Sequence, residues 1–474
     1  MRSAAPSPPA ARLLDAVPVE LARRARAYPS TLADGILHVR GVGIDDHDPS
    51  LDEMRVRVGA SDVVAEHDPD AVRHLLVLYA RHRLPHLLDD AVAVLDVLLD
   101  LAVGSEASDV HLEALTDGLR LRLRIDGDLH DVATVPAATV PALVARTKVR
   151  AGLDVAERRH PQDGHLRHEL PGGAIDVRVA TMPTHHGERL TLRLLPDAPT
   201  GVAIDTLGLP DHVVATLIET TRASDGLVVV CGPTGSGKTT TLHALLTGLT
   251  AGARNVMTLE DPIERVIPGA SQTRVGADGG LGFATGLRHL LRHDPDVVLV
   301  GEVRDRESAQ LAVEAARTGH LVLTSLHAVD APSALTRLSE LGVPTGQLAD
   351  TVRCVVAQRL LAVPCPACAR RGDGTSARCA DCGGTGTRGR RAIAEVLHLD
   401  VTLRSRLRHG PDLSAHHAAL SAAVSPRLRE IARERVAQGL ARHADAIAAT
   451  PETAAPHPVA TLEGHRTAGH PPKP

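Results

Sequence analysis

Gly232-Pro-Thr-Gly-Ser-Gly-Lys238-Thr239 decides the fold. It meets G-x-x-x-x-G-K-[ST] at every specified position. Leu227-Val-Val-Val-Cys231, just before it, is an apolar run that reads as a buried parallel strand. Thr240-Thr-Leu-His-Ala-Leu-Leu, just after it, is helix-like. Strand, glycine-rich loop and helix together make a phosphate-binding unit. In such a loop, here Gly232, Pro233, Thr234, Gly235, Ser236 and Gly237, backbone N–H groups turn inward toward phosphate oxygens. The helix N-terminus at Lys238, Thr239 and Thr240 adds partial positive charge. Lys238 is expected to reach the β- and γ-phosphates, and the Thr239 hydroxyl to hold Mg²⁺. The sequence therefore predicts a nucleoside triphosphate site.

Working outward, 474 residues suggest about three domains. Net charge is −5, from 52 basic and 57 acidic residues, so no global field draws in nucleic acid. Tyr28, Tyr79 and Phe283 are the only aromatic residues apart from histidine, too few for stacking onto single strands. No apolar run reaches 18 residues, so no transmembrane segment is expected. The N-terminus lacks a signal-like apolar block, which points to a cytoplasmic protein.

Taken in order, residues 1–10 and 451–474 are expected to be disordered. Residues 11–86 make a small α/β unit, with helices from Arg12 and Val19, strands at Ile36–Arg40 and Arg55–Val58, and a helix from Asp68 to His82. Residues 88–196 make a middle α/β domain. Its Asp89–Ala102 helix carries Val92, Leu95, Leu98, Leu99 and Ala102 on one face. Asp126-Gly127 marks a hairpin turn. Residues 197–210 are a Pro- and Gly-bearing linker, and residues 205–450 form the phosphate-loop domain, ending in a helix from Arg427 to Ala449.

Within that third domain, a strand ends in Glu260-Asp261-Pro262-Ile263-Glu264, and Asp296-Val-Val-Leu-Val-Gly301-Glu302 ends another. Ligands sit at the carboxyl ends of parallel strands, so these acids belong near the phosphates. The second strand is like a Walker B strand, with Gly301 where an Asp is usual. His320-Leu-Val-Leu-Thr-Ser-Leu-His327 brings His327 to the same edge. Cys365-x-x-Cys368 and Cys379-x-x-Cys382 make two paired ligand turns, expected to close a structural Zn²⁺ site within a 365–382 insertion. Cys231 and Cys354 read as core residues.

These elements, in this order, resemble the hexameric ATPases of type II secretion and type IV pilus assembly. Ala107-Ser-Asp-Val-His-Leu-Glu113, Arg124-Ile-Asp-Gly127, Ala156 to Gly164 and Gly187-Glu-Arg189 extend the resemblance over residues 88–400. It is weaker over residues 11–86, which resemble the family's N-terminal docking domain. The resemblance implies a RecA-like α/β core, a smaller PAS-like α/β middle domain and a homohexamer. It implies ATP and Mg²⁺, with Thr239 and Glu302 near the metal, Glu264 polarising the attacking water, and His327 in a His box. Arg178 and Arg193 would face the γ-phosphate from the middle domain, and Arg288 and Arg292 would lie at a subunit boundary. It also implies a partner, the cytoplasmic face of an inner-membrane secretion or pilus platform. His243 stands where that family often has Tyr. The rival functions are a nucleic-acid translocase on the same core and a non-hydrolysing ATP-binding scaffold.

Overall fold

The computed structural model describes residues 11–450 except 46, 172, 196–201, 277–280, 372–378, 380, 410–412 and 414–415, and only the backbone of 370 and 371. The expected disorder of 1–10 and 451–474, part of the 197–210 linker, and the stretch between the two cysteine pairs lie outside the described residues.

The N-terminal unit contains α1 (Ala11–Ala16), α2 (Val19–Ala25), β1 (Ala27–Ala33), β2 (Ile36–Gly41), α3 (Pro49–Val58), β3 (Asp62–His67) and α4 (Ala71–Arg83). β1 and β2 pair antiparallel, and β3 adds parallel to β2. Arg55–Val58, expected as a strand, is the last turn of α3. That helix is fixed at its start by the Asp48 carboxylate accepting from Ser50 N–H at 2.8 Å, and at its end by left-handed Gly59. Four alternating residues are too few to separate a period of 2 from one of 3.6.

The middle unit contains α5 (Ala91–Gly104), β4 (Asp109–Ala114), β5 (Gly118–Ile125), β6 (Asp128–Pro136), α6 (Val140–Arg150), β7 (Gln162–Leu170), β8 (Gly173–Thr184) and β9 (Gly187–Leu195). The strands form an antiparallel sheet in the order β6-β5-β4-β9-β8-β7. Asp126 and Gly127 turn β5 into β6, both at positive φ, as a two-residue hairpin loop requires. Leu95, Leu98, Leu99 and Ala102 of α5 are buried as expected, but Val92 is 51% exposed and stands off that face. Helix α4 belongs to two cores. Leu75, Leu76, Leu78 and Tyr79 pack in the N-terminal unit, while Val77, Ala80 and, just past the helix, Leu84 pack beneath the middle sheet.

The third unit is a doubly covered sheet. Its elements are α7 (Asp211–Thr221), β10 (Gly226–Cys231), α8 (Lys238–Thr250), β11 (Val256–Glu260), β12 (Ala270–Arg274), α9 (Phe283–Leu290), β13 (Val297–Val300), α10 (Arg306–Arg317), β14 (Leu321–Leu326), α11 (Ala331–Glu340), α12 (Thr345–Thr351), β15 (Val352–Pro364), α13 (Pro366–Arg371), β16 (Thr387–His398), α14 (Val401–His409), α15 (His417–Ala422), α16 (Leu428–Ala437) and α17 (His443–Ala449). The strand order is β12-β11-β13-β14-β10-β15-β16, parallel throughout except for the antiparallel β15–β16 pair. Separate hydrophobic clusters cover its two faces, so β10 and β13 read as apolar runs and β14 as one interrupted only by buried Thr324 and Ser325. Arg427–Ala449, expected as one helix, is α16 and α17, broken at left-handed Gly439. The cysteine insertion connects β15 to β16.

Candidate functional site

This topology brings four adjacent strand ends together. The phosphate loop follows β10, His327 follows β14, Glu302 follows β13 and the acidic segment follows β11. They line one cleft of about 610 Å³, together with Arg193, Phe283, Arg304, Leu360 and Arg390. Thr234 to Thr240 line it from the loop and the start of α8.

The loop is held from behind by β15. Gln358 Nε2 donates to Ser236 O at 2.8 Å, and Gln358 Oε1 accepts from Thr241 Oγ1 at 2.7 Å. Gly237 has φ +88°, and a Cβ there would sit 2.7 Å from Gln358 Nε2, so only glycine fits this approach. Lys238 Nζ donates to Gly232 O at 2.9 Å and Pro233 O at 3.0 Å. Burial lowers its pKa, opposed by the Glu302 charge.

Glu302 is at the centre of the acidic wall. Arg304 Nε donates to Glu302 Oε2 at 2.8 Å, and His327 Nε2 lies 3.2 Å from Oε1. Burial pushes this carboxyl up, but the Arg304 hydrogen bond and charge, with His327 and Lys238, hold it below the usual range. It is therefore an anion at neutral pH, fit to face a cation. Gly301, at the position where a Walker B strand usually has an aspartate, is closely packed. A Cβ there would lie 3.0 Å from Leu259 O.

Glu260, which ends β11, and Glu264, in the segment after it, differ. Glu260 is buried and fully engaged by His243 at 2.8 Å, Thr258 at 2.7 Å and Gln272 at 2.9 Å. Burial pushes the Glu260 carboxyl up, and those partners outweigh it. Glu264 is exposed in the cleft. Both residues line the cleft, but Glu264 is exposed there while the Glu260 carboxylate is committed to its three partners.

Of the four expected arginines, Arg193 alone lines the cleft, with its Nε donating to Asp109 Oδ1 at 2.9 Å. Arg178 is its cross-strand neighbour on β8 but is outside the lining. Arg288 pairs with Glu307, and both Arg288 and Arg292 are exposed away from the cleft.

A profile of type II/IV secretion system proteins matches residues 89–448. The type II secretion system protein HxcR of Pseudomonas aeruginosa is 43% identical over 350 residues, covering 73% of this chain and 75% of that one. The chain belongs to the type II/IV secretion system protein family. A second relative, the type II secretion system ATPase E of Vibrio cholerae, is 37% identical over 386 residues, covering 77% of this chain and 76% of its own. In fold, the chain is similar to the X-ray structure of the Legionella pneumophila ATPase DotB, with TM-score 0.58, 23% identity, and coverage of 75% and 94%. It is a secretion ATPase, which removes the non-hydrolysing scaffold from the alternatives.

This secretion ATPase also has a candidate metal centre. The Sγ atoms of Cys365, Cys368, Cys379 and Cys382 all lie within 4.8 Å of one another, and all four residues are buried. Cys365 and Cys379 Sγ are 3.9 Å apart, and Cys368 and Cys382 Sγ 3.6 Å. A tetrahedron with Zn–S of about 2.3 Å requires S···S of about 3.8 Å. The local apolar cluster is these cysteines and Ala367. Such a core cannot hold a loop alone, and the donor set fits Zn²⁺. Cys231 and Cys354 are buried in the sheet, as expected. Gln358, Arg304, Arg390 and the His243–Glu260 pair were missed by sequence reasoning. The only signal for Gln358 was one amide inside the apolar run Val352–Val363.

Proposed function

We propose that this ATPase is a ring-forming motor, a homohexamer, that couples ATP hydrolysis to assembly of a pilus or pseudopilus and so to protein export. The third unit is its RecA-like core and the middle unit its PAS-like partner lobe. The observation that carries this is Arg193: a guanidinium from the middle unit lies in the cleft of the phosphate loop. In the transition state, charge spreads over the γ-phosphoryl oxygens, and a positioned arginine stabilises it by about 10³–10⁵ in rate in GTPases. Hydrolysis is then tied to the relative position of two lobes.

In this reading Lys238 and the loop N–H groups hold the phosphates. Thr239 and Glu302 would hold Mg²⁺, which supplies charge neutralisation of the phosphates. Glu264 would orient and deprotonate the attacking water, and His327, against Glu302 in the cleft, would sense the terminal phosphate. Arg178 joins Arg193 when the middle lobe shifts along the cleft, while Arg288 and Arg292 face a neighbouring subunit. The four cysteines hold Zn²⁺. The N-terminal unit would meet the cytoplasmic face of an inner-membrane platform. No helix among the described residues is long and apolar enough to cross a membrane.

The test is Arg193→Ala in the full chain. ATP turnover should fall by about 10³-fold or more, with ATP binding by fluorescence anisotropy retained. Turnover at wild-type rate would refute the two-lobe mechanism.

A further inference from the structure

The cysteine insertion does more than close a loop of the ATPase core. Asp381, beside Cys382, reaches into the N-terminal unit. Its Oδ1 lies 3.1 Å from His74 Nε2, and its backbone carbonyl accepts from Arg73 Nη1 at 2.7 Å. His74 is 4% exposed and bridges onward, its Nδ1 lying 2.8 Å from Asp68 Oδ2. Arg388, at the start of β16, donates to Asp70 Oδ2 at 2.6 Å. The same segment meets the middle unit, where Asp126 lies close to Thr387, Gly389 and the Arg390 charge. All of these contacts come from residues 381–390, and they reach α4, the segment leading into it and the β5–β6 turn.

The knob that makes these contacts is organised by sulfur. Gly386 N–H donates to Cys382 Sγ at 3.4 Å, Cys365 N–H to Gly386 O at 2.8 Å, and Thr385 Oγ1 to Cys382 O at 2.8 Å. A Zn²⁺ with four thiolates carries two net negative charges. Arg73 and Arg388 stand in the contact, and the partly exposed Arg81 is close to Gly383, whose Cβ would lie 3.3 Å from Arg81 Nη2. Outer-shell cations of this kind stabilise a metal site.

We infer that the four-cysteine knob is a metal-locked latch, whose Asp381 and Arg388 hold the α4 end of the N-terminal unit against the ATPase core. This rests on the zinc reading above. Since α4 also sits in the middle unit's core, the latch steadies the lobe that carries Arg193. Linkage makes the coupling reciprocal: metal tightens the contact, and the contact tightens the metal.

The test uses the full chain. Zinc content is measured first, then hydrogen–deuterium exchange of residues 68–84 before and after chelation. Zinc release to a chromophoric chelator is compared between wild type and the milder variants Asp70→Asn and Arg73→Gln. Chelation should raise exchange over α4, and both variants should release zinc about fivefold faster or more. If zinc is bound but α4 exchange and release rates stay unchanged, the latch is refuted and the zinc site stands. If freshly purified protein holds no metal, both fall.

Discussion

Gln358 Nε2 donates to the carbonyl of Ser236 at 2.8 Å, so a strand next to the phosphate-loop strand fixes the curvature of the loop itself. The same amide accepts from Thr241 one helical turn on, so one side chain ties both sides of Lys238. Gln358→Ala leaves a buried hydroxyl without its partner, which costs about 1–3 kcal/mol. Gln358→Glu is the sharper variant, because it sets a carboxylate oxygen against the Ser236 carbonyl. Steady-state kinetics should show a raised KM for ATP with either variant, larger for Glu. An unchanged KM would show that the loop holds its shape without Gln358.

Lys238→Ala should abolish turnover and weaken ATP binding at the same cleft. Activity surviving in a phosphate-release assay would place the nucleotide elsewhere.

Glu260 and Glu264 should separate stability from chemistry. Glu264→Gln should retain ATP binding and fold stability and lose turnover by 10²-fold or more, the range of a lost general base. Glu260→Gln should lower the melting temperature, because three partners converge on that buried carboxylate. The reverse pattern would exchange their roles.

Asp68 gives the N-terminal unit an acid limit. Burial pushes its carboxyl up, but His74, the Asp70 N–H and Tyr28 outweigh that and bring it from 3.8 to about 2. A depressed carboxyl contributes stability above its unfolded pKa and loses it as pH falls through the folded one. That contribution, about 2 kcal/mol, should therefore be complete above pH of about 4 and gone near pH 2. Urea unfolding of wild type and Asp68→Asn across this window should converge at the acid end. Parallel curves would show that Asp68 does not titrate with unfolding.

Much of this site was legible from the chain because parallel strands buried on both faces are continuous apolar runs, and their ends carry the chemistry. Leu227–Cys231, Asp296–Glu302 and His320–His327 announce themselves in this way. β15 did not. Its run is interrupted by Gln358 and Arg359, and their partners, Ser236, Thr241, Val329 and Ala449, lie far off in sequence. Strand-end position alone leaves Glu260, Asp261 and Glu264 alike, and the family resemblance is what singles out Glu264. Packing adds that Glu260, at the cleft wall, is taken up by His243, while Glu264 is exposed in the cleft. Arg193 and Arg178 likewise look alike in sequence, two outward residues on neighbouring antiparallel strands, until lobe placement distinguishes them.

Helix α4, set in two cores at once, removes any bearing between the first two units. Once the Asp381 and Arg388 contacts to the ATPase core let go, a rotation of the middle lobe by a few degrees carries the whole N-terminal body with it, as one lever arm. Whatever grips that far surface therefore receives displacement magnified by distance from the nucleotide, and can send force back along the same rigid path.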